Sequence, residues 1–234
     1  MSNVLMGYLN KRMKEEDFIK NNNSTTAGPV ITISREVGCN GIKLAKLIAS
    51  RLNSHNKSSS WQVFSKEIYH QSALELNLES DEVRRVFKQS EKYVFDEILK
   101  AFSNKNFKSE QKIIKTVVDI VRNSCIDGYS IIVGRAGHII AGDIEKSFHL
   151  KLTAPLDYRV QTIQNNNGLN RDESVKFIDK VEKERIIFRK AIHQEKLDEE
   201  LFDLTINRNS FNNDDIVDII VYAINKKGIL KNSN

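Results

Sequence analysis

Apolar residues in this chain come as short, nearly unbroken runs and as longer stretches spaced at helical intervals. The runs at 30–33 (Val-Ile-Thr-Ile), 61–64 (Trp-Gln-Val-Phe), 130–133 (Ser-Ile-Ile-Val), 148–152 and 202–206 are rich in β-branched and aromatic side chains, which predicts five strands. Behind the first, Leu44, Leu47, Ile48 and Leu52 recur at helical spacing in a helix opening at Gly41. Ser80, followed by Asp81 and Glu82, is a good N-cap for a stripe of Val83, Val86, Phe87, Val94, Phe95, Ile98, Leu99 and Phe102. Ser109 opens a further helix through Ile113, Ile114, Val117, Val118, Ile120 and Val121, ending near Gly128. Helices over 156–164, over 171–192 (one long helix or a pair) and over 214–225 complete the pattern. Strands alternating with helices predict an α/β fold: a parallel five-stranded sheet covered by helices on both faces, with an all-helical insertion over 66–127. The polar, turn-rich run before Pro29 reads as a linker, separating an N-terminal arm (1–28) from one domain over 29–230. No internal repeat is visible.

Length and composition narrow this picture without changing it. A chain of 234 residues can bury a sizeable core as one domain with an inserted lobe. Its net charge of +5 and pI near 9.0 suit anionic partners. Lys and Arg are interleaved with Glu and Asp, and no groove-entering helix or aromatic RNA platform is evident, so nucleic acid is not the expected partner. Cys39 and Cys125 make no metal or disulfide pattern, which fits a reducing compartment. No apolar stretch approaches membrane-spanning length, and residues 1–20 make a poor signal peptide, so a cytoplasmic protein is the expectation.

The candidate chemistry starts at Ser34-Arg35-Glu36-Val37-Gly38-Cys39-Asn40-Gly41, a turn between the first strand and the first helix. Such a turn aims backbone N–H groups and the positive end of a helix dipole at one spot outside the sheet, where phosphate commonly binds. The full signature G-x-x-x-x-G-K-[ST] is absent. Superposed on it, Asn40 falls on the second glycine, Gly41 on the lysine and Ile42 on the hydroxyl residue. Three substitutes are conceivable: Arg35 within the loop, Lys43 in the first helical turn, or Ser34 as a metal ligand. Arg35 is the preferred surrogate. Cys39 could carry a lowered thiol pKa beside a helix N-terminus, or serve as a small residue that lets phosphate approach.

Arg135 directly follows a buried strand, at the carboxyl edge where ligands of α/β sheets bind, and could clamp a phosphate with two parallel hydrogen bonds or pair with a structural acid. Arg185 and Arg189 lie four apart on one helix face. Either they close over phosphate, or they form solvated ion pairs with Glu182 and Glu184. Arg159 is expected to hold a neighbouring helix or a core acid. His138 could contact ligand or be structural, and the other histidines show no metal-ligand spacing.

Taken in order, Ile31-Thr32-Ile33-Ser34-Arg35-Glu36, Gly38-Cys39-Asn40-Gly41, Ile132-Val133-Gly134-Arg135-Ala136-Gly137, Leu152-Thr153-Ala154-Pro155 with Arg159, and Phe202-Asp203-Leu204-Thr205-Ile206-Asn207 resemble the cytidylate kinase-like family. That family belongs to the P-loop nucleoside monophosphate kinases, and the resemblance runs from about Pro29 to Tyr222. It implies a three-layer P-loop kinase-like fold in which the core holds ATP, the 66–127 insertion holds the nucleoside monophosphate, and 171–192 forms an arginine-bearing lid. The implied reaction transfers the γ-phosphoryl group of ATP to CMP, dCMP or a related nucleotide, with Mg²⁺. Arg35, Arg135, Arg185 and Arg189 are then the expected catalytic residues. Ser34, Arg35, Glu36, Gly38, Cys39, Asn40, Gly41, Ile42 and Lys43 would cradle the nucleotide, with Ser34 toward the metal. Two departures stand out. Cytidylate kinases follow the Gly-Arg with Asp, where this chain has Ala136, and the lysine is missing, as the Ser-Arg-Glu form of the family shares. The alternative is a nucleotide-binding protein of the same fold that has lost phosphoryl transfer and serves in sensing or regulation.

Overall fold

Alternation of side chains along the first strand explains how one short run serves two cores. In the computed structural model, which describes residues 28–55, 60–65, 110–192 and 202–230, β1 (Val30–Arg35) sends Ile31 and Ile33 to one face and Val30 and Thr32 to the other. Burial on both faces is what a central parallel strand requires. The other strands are β2 (Gln62–Phe64), β3 (Ser130–Val133), β4 (Ser147–Thr153) and β5 (Leu204–Asn207). All pair in parallel, in the order β2-β3-β1-β4-β5. The α/β expectation holds, and the layers are consistent with a P-loop kinase-like fold.

One face is covered by α1 (Gly41–His55) and α6 (Asn213–Lys227). Leu44, Ile48 and Leu52 of α1 and Ile216, Ile220 and Ile224 of α6 pack with Ile31, Ile33, Ile131, Val133 and Leu150. The opposite face carries α2 (Glu110–Ile126) and the single-turn α3 (Gly137–Ile140). There Val117, Ile120 and Val121 meet Val30, Phe64 and Ile132. Most of the helical insertion expected over 66–127 lies outside the described residues, which include only α2 and the turn behind it.

The remaining helices are α4 (Leu156–Asn167) and α5 (Arg171–Ile192). The stretch left open as one helix or two is a single helix of 22 residues. It is tied down at two points. Near its start Ile178 joins Val160, Ile163 and the loop residue Val37 in a small core of its own. Near its end Phe188 is buried among the side chains of α2 and α3. The helix therefore passes over the carboxyl edge of the sheet.

His149 on β4 supplies a stability test. Its Nδ1 lies 2.8 Å from the Thr32 hydroxyl and its Nε2 lies 3.1 Å from that of Ser147. Burial is the main cause that pushes its pKa down to about 4; Asp203 opposes this, while Lys227 and His138 add to it. A histidine held neutral in the fold but free to protonate when unfolded costs stability as pH falls from about 6.5 to 4, and costs nothing above that window. After discounting for partial exposure, about 1–2 kcal/mol should be lost across it. Urea denaturation at pH 7 and pH 5 should show this loss in the wild type and a smaller one in His149→Gln. Equal losses in the two proteins would assign the pH effect to other groups.

Candidate functional site

β1 and β3 are neighbours and both end at the same edge, so the residues just past them are neighbours too. Past β3, Gly134, Arg135 and Ala136 have φ of 79°, 57° and 53°, three left-handed residues in succession. Glycine takes this conformation without penalty, but Arg135 and Ala136 each carry about 1–2 kcal/mol of strain. The turn folds the chain back from the sheet edge before α3. Strain of this kind concentrates at sites that use it.

A cleft opens at this edge. Ser34, Arg35, Gly134, Arg135, Ala136 and His138 form its floor and one side, while Arg185, Phe188 and Arg189 of α5 form the other. The four arginines expected to be catalytic, Arg35, Arg135, Arg185 and Arg189, meet here from three separate segments. Arg185 Nη1 donates to the Arg35 carbonyl at 2.7 Å. Burial above all, helped by Arg135 and Arg189 and opposed by Glu182, lowers the pKa of Arg185. Guanidinium groups stay protonated regardless, so the physical meaning is that this charge is costly where it stands. An anion in the cleft relieves that cost.

The Arg35 side chain lies across two glycines. A Cβ placed on Gly41 would stand 3.3 Å from Arg35 Cγ, and one on Gly134 would stand 1.9 Å from its Nη1. The aliphatic stem thus passes the position where the standard loop carries lysine, and the guanidinium rests on the turn before Arg135.

The loop itself is braced from behind. Gly38, with φ of 94°, abuts α4 so closely that a Cβ there would lie 2.7 Å from the Cα of Arg159. Arg159 donates to the Ala154 carbonyl at 3.1 Å and stands 3.7 Å from both Glu36 and Glu182. Glu36 accepts the Ala154 N–H at 2.9 Å, and Glu182 of α5 accepts the Val37 N–H at 2.6 Å. Arg159 therefore holds acids and helix together, as expected. Glu36 acts as a brace within this cluster.

The other loop positions divide. Cys39 is fully buried, and burial first, then Glu36, pushes its thiol up to about 11, against weaker opposition from Arg159 and Arg208. The lowered pKa considered for it is thus corrected, because the sulfur faces the core and not the helix N-terminus. Asn40, with φ of 49°, accepts from Asn166 Nδ2 at 3.2 Å. Gly41 is buried, Ile42 packs on the core, and Lys43 is exposed and does not line the cleft. Ser34 does line it. Among the described residues no group of three His, Cys, Asp or Glu could hold a metal ion.

Sequence reasoning missed Arg208, which is 5% exposed just past β5. Its Nε donates to the Cys39 carbonyl at 3.3 Å and its Nη2 to Asn213 Oδ1 at 2.7 Å, while Nη1 is buried without a hydrogen-bond partner among the described residues. The rule that singled out Arg135, an arginine directly behind a strand at the carboxyl edge, would have found it. Phe188 was also missed, since one aromatic residue on a charged helix gives no sign of a cleft wall.

No curated protein matches the chain. Among solved structures, an uncharacterized protein from Eubacterium ventriosum ATCC 27560 is similar, with a TM-score of 0.59 and 18% identity over 84% of this chain and 98% of that one. At that identity the likeness speaks for the fold alone. The sequence model of one family, however, matches residues 30–210, which takes in the loop, the arginine turn and every strand described above. The chain belongs to the cytidylate kinase-like family.

Proposed function

We propose that the protein is an ATP-dependent nucleoside monophosphate kinase whose acceptor is CMP, dCMP or a related nucleotide. The observation that carries this reading is the convergence of Arg35, Arg135, Arg185 and Arg189 on one cleft beside the loop. Four guanidinium groups at a sheet edge suit a reaction in which negative charge must be gathered and redistributed. In the transfer, a phosphate oxygen of the acceptor bonds to the γ-phosphorus as the bond from that phosphorus to the β–γ bridging oxygen breaks. The products are ADP and the nucleoside diphosphate. Arg35 takes the part of the missing lysine, its stem running past Gly41. Arg135 clamps the phosphate with its planar fork, and Arg185 and Arg189 neutralise the oxygens from above. Bound Mg²⁺ would supply further charge neutralisation, with Ser34 as the side chain placed to hold it.

In this reading the 66–127 insertion binds the monophosphate, α5 serves as the lid, and 29–230 is one catalytic domain. A cytoplasmic setting suits two buried free cysteines. No helix among the described residues is long and apolar enough to cross a membrane.

A second reading, a nucleotide-binding protein without phosphoryl transfer, draws on Gly41 at the lysine position and on the Glu182 carboxylate seated at the Val37 N–H. A coupled assay with ATP, Mg²⁺ and each of CMP, dCMP, UMP and AMP separates the two. Turnover with one of them supports the kinase; nucleotide binding without turnover supports the alternative. Arg35→Ala should lower turnover by about 10²–10³-fold, with Arg35→Lys recovering part of it. Wild-type turnover in Arg35→Ala would mean that another group supplies the cation.

A further inference from the structure

The loop's most intimate partner from α5 is a carboxylate. Glu182 Oε1 sits 2.6 Å from the Val37 nitrogen, a short charge-assisted contact. One turn along the same helix, Arg185 donates to the Arg35 carbonyl at 2.7 Å. Two residues three apart on α5 thus grip two backbone groups of the loop. On either side of this grip, Ile178 with Val37 and Phe188 with α2 and α3 press the helix down. Arg159, 3.7 Å from Glu182, stands as close to Glu36, so the two acids share its charge.

A carboxylate on a loop N–H, beside a guanidinium, has the chemistry of a bound phosphate oxygen. We propose that Glu182 is a built-in anion of the loop, holding α5 against it and opposing any phosphate that approaches. This rests on reading the loop as an anion site, and it adds a selection rule to that reading. A ligand must outcompete a tethered negative charge, so a di- or triphosphate chain, with several oxygens and higher charge, is admitted ahead of a lone monophosphate. The donor end of the site is thereby kept for polyphosphate, one of whose oxygens exchanges with the Glu182 carboxylate at the Val37 N–H while Arg185 and Arg189 stay over the cleft.

The test uses the full chain and inorganic tripolyphosphate, followed by calorimetry. Glu182→Gln keeps an oxygen that can accept from Val37 and removes only the charge. It should bind tripolyphosphate about tenfold tighter than wild type, the gain expected from deleting one like charge at this distance. Glu182→Ala should shift affinity the same way. Unchanged or weaker binding in Glu182→Gln overturns the proposal, as does failure of both variants to fold, which would make Glu182 a structural prop. Binding by neither wild type nor variant overturns it as well. Absence of kinase turnover with tighter binding in Glu182→Gln would remove the proposed reaction and support the built-in anion.

Discussion

Replacing Arg135 with alanine is expected to lower turnover by about 10³-fold or more, the scale on which arginines that meet a transferring phosphoryl group act. The fold should survive the change. Arg135 lines the cleft and sits outside the apolar clusters, and its left-handed backbone costs alanine no more than it costs arginine. Removing one of several crowded guanidinium groups also relieves repulsion felt by Arg185. Melting temperature should therefore stay close to that of the wild type while kcat collapses. Arg135→Lys keeps the charge and loses the two-pronged geometry, so it should recover only part of the rate. Steady-state kinetics with the nucleotide that supports turnover, read beside thermal unfolding, check this. Turnover of Arg135→Ala within a few-fold of wild type would remove Arg135 from the site.

What made the fold legible is that strands buried on both faces have nowhere to put polar side chains. Val30, Ile31, Ile33, Ile131, Ile132 and Val133 are fully buried or nearly so, and a run of such residues is readable from sequence alone. Arg135 was legible for the same reason, because the end of a buried run marks the ligand edge. Pairings across long separations were not. The contact between Val37 and Glu182 spans 145 residues, and its donor is a backbone group with no side-chain signature. Val37 reads as one residue of a turn, yet it packs with Val160, Ile163 and Ile178 of two later helices. Glu182 reads as half of a helical ion pair, the reading that periodicity favours for any acid on a charged helix. Only the fold shows that it turns toward the loop. Cys39 misled in the opposite sense: the sequence places it beside a helix N-terminus, and the packing buries its sulfur.

The second large effect comes from a pair of glycines on opposite sides of Arg35's segment, and the same substitution should break them in different ways. At Gly38 an added Cβ meets the Arg159 backbone, 2.7 Å from both its Cα and its carbonyl oxygen. Backbone in a packed helix cannot step aside, and φ of 94° lies beyond the region where alanine is even moderately at ease. Gly38→Ala should therefore cost about 2–4 kcal/mol of stability by prising the loop from α4. At Gly134 the obstacle is the end of a flexible side chain, Arg35 Nη1 at 1.9 Å. That guanidinium can swing away, so Gly134→Ala should cost only about 1 kcal/mol, mostly left-handed strain. Its price falls on function instead. With Arg35 displaced from beside Arg135, turnover should fall by about 10²-fold, as for the loss of one positioned donor. Thermal unfolding and kcat measured on both variants should thus separate, stability leading the loss in Gly38→Ala and rate leading it in Gly134→Ala. Full activity in a folded Gly134→Ala protein would show that the seat of Arg35 on that turn is packing alone, and the surrogate-lysine role would go with it.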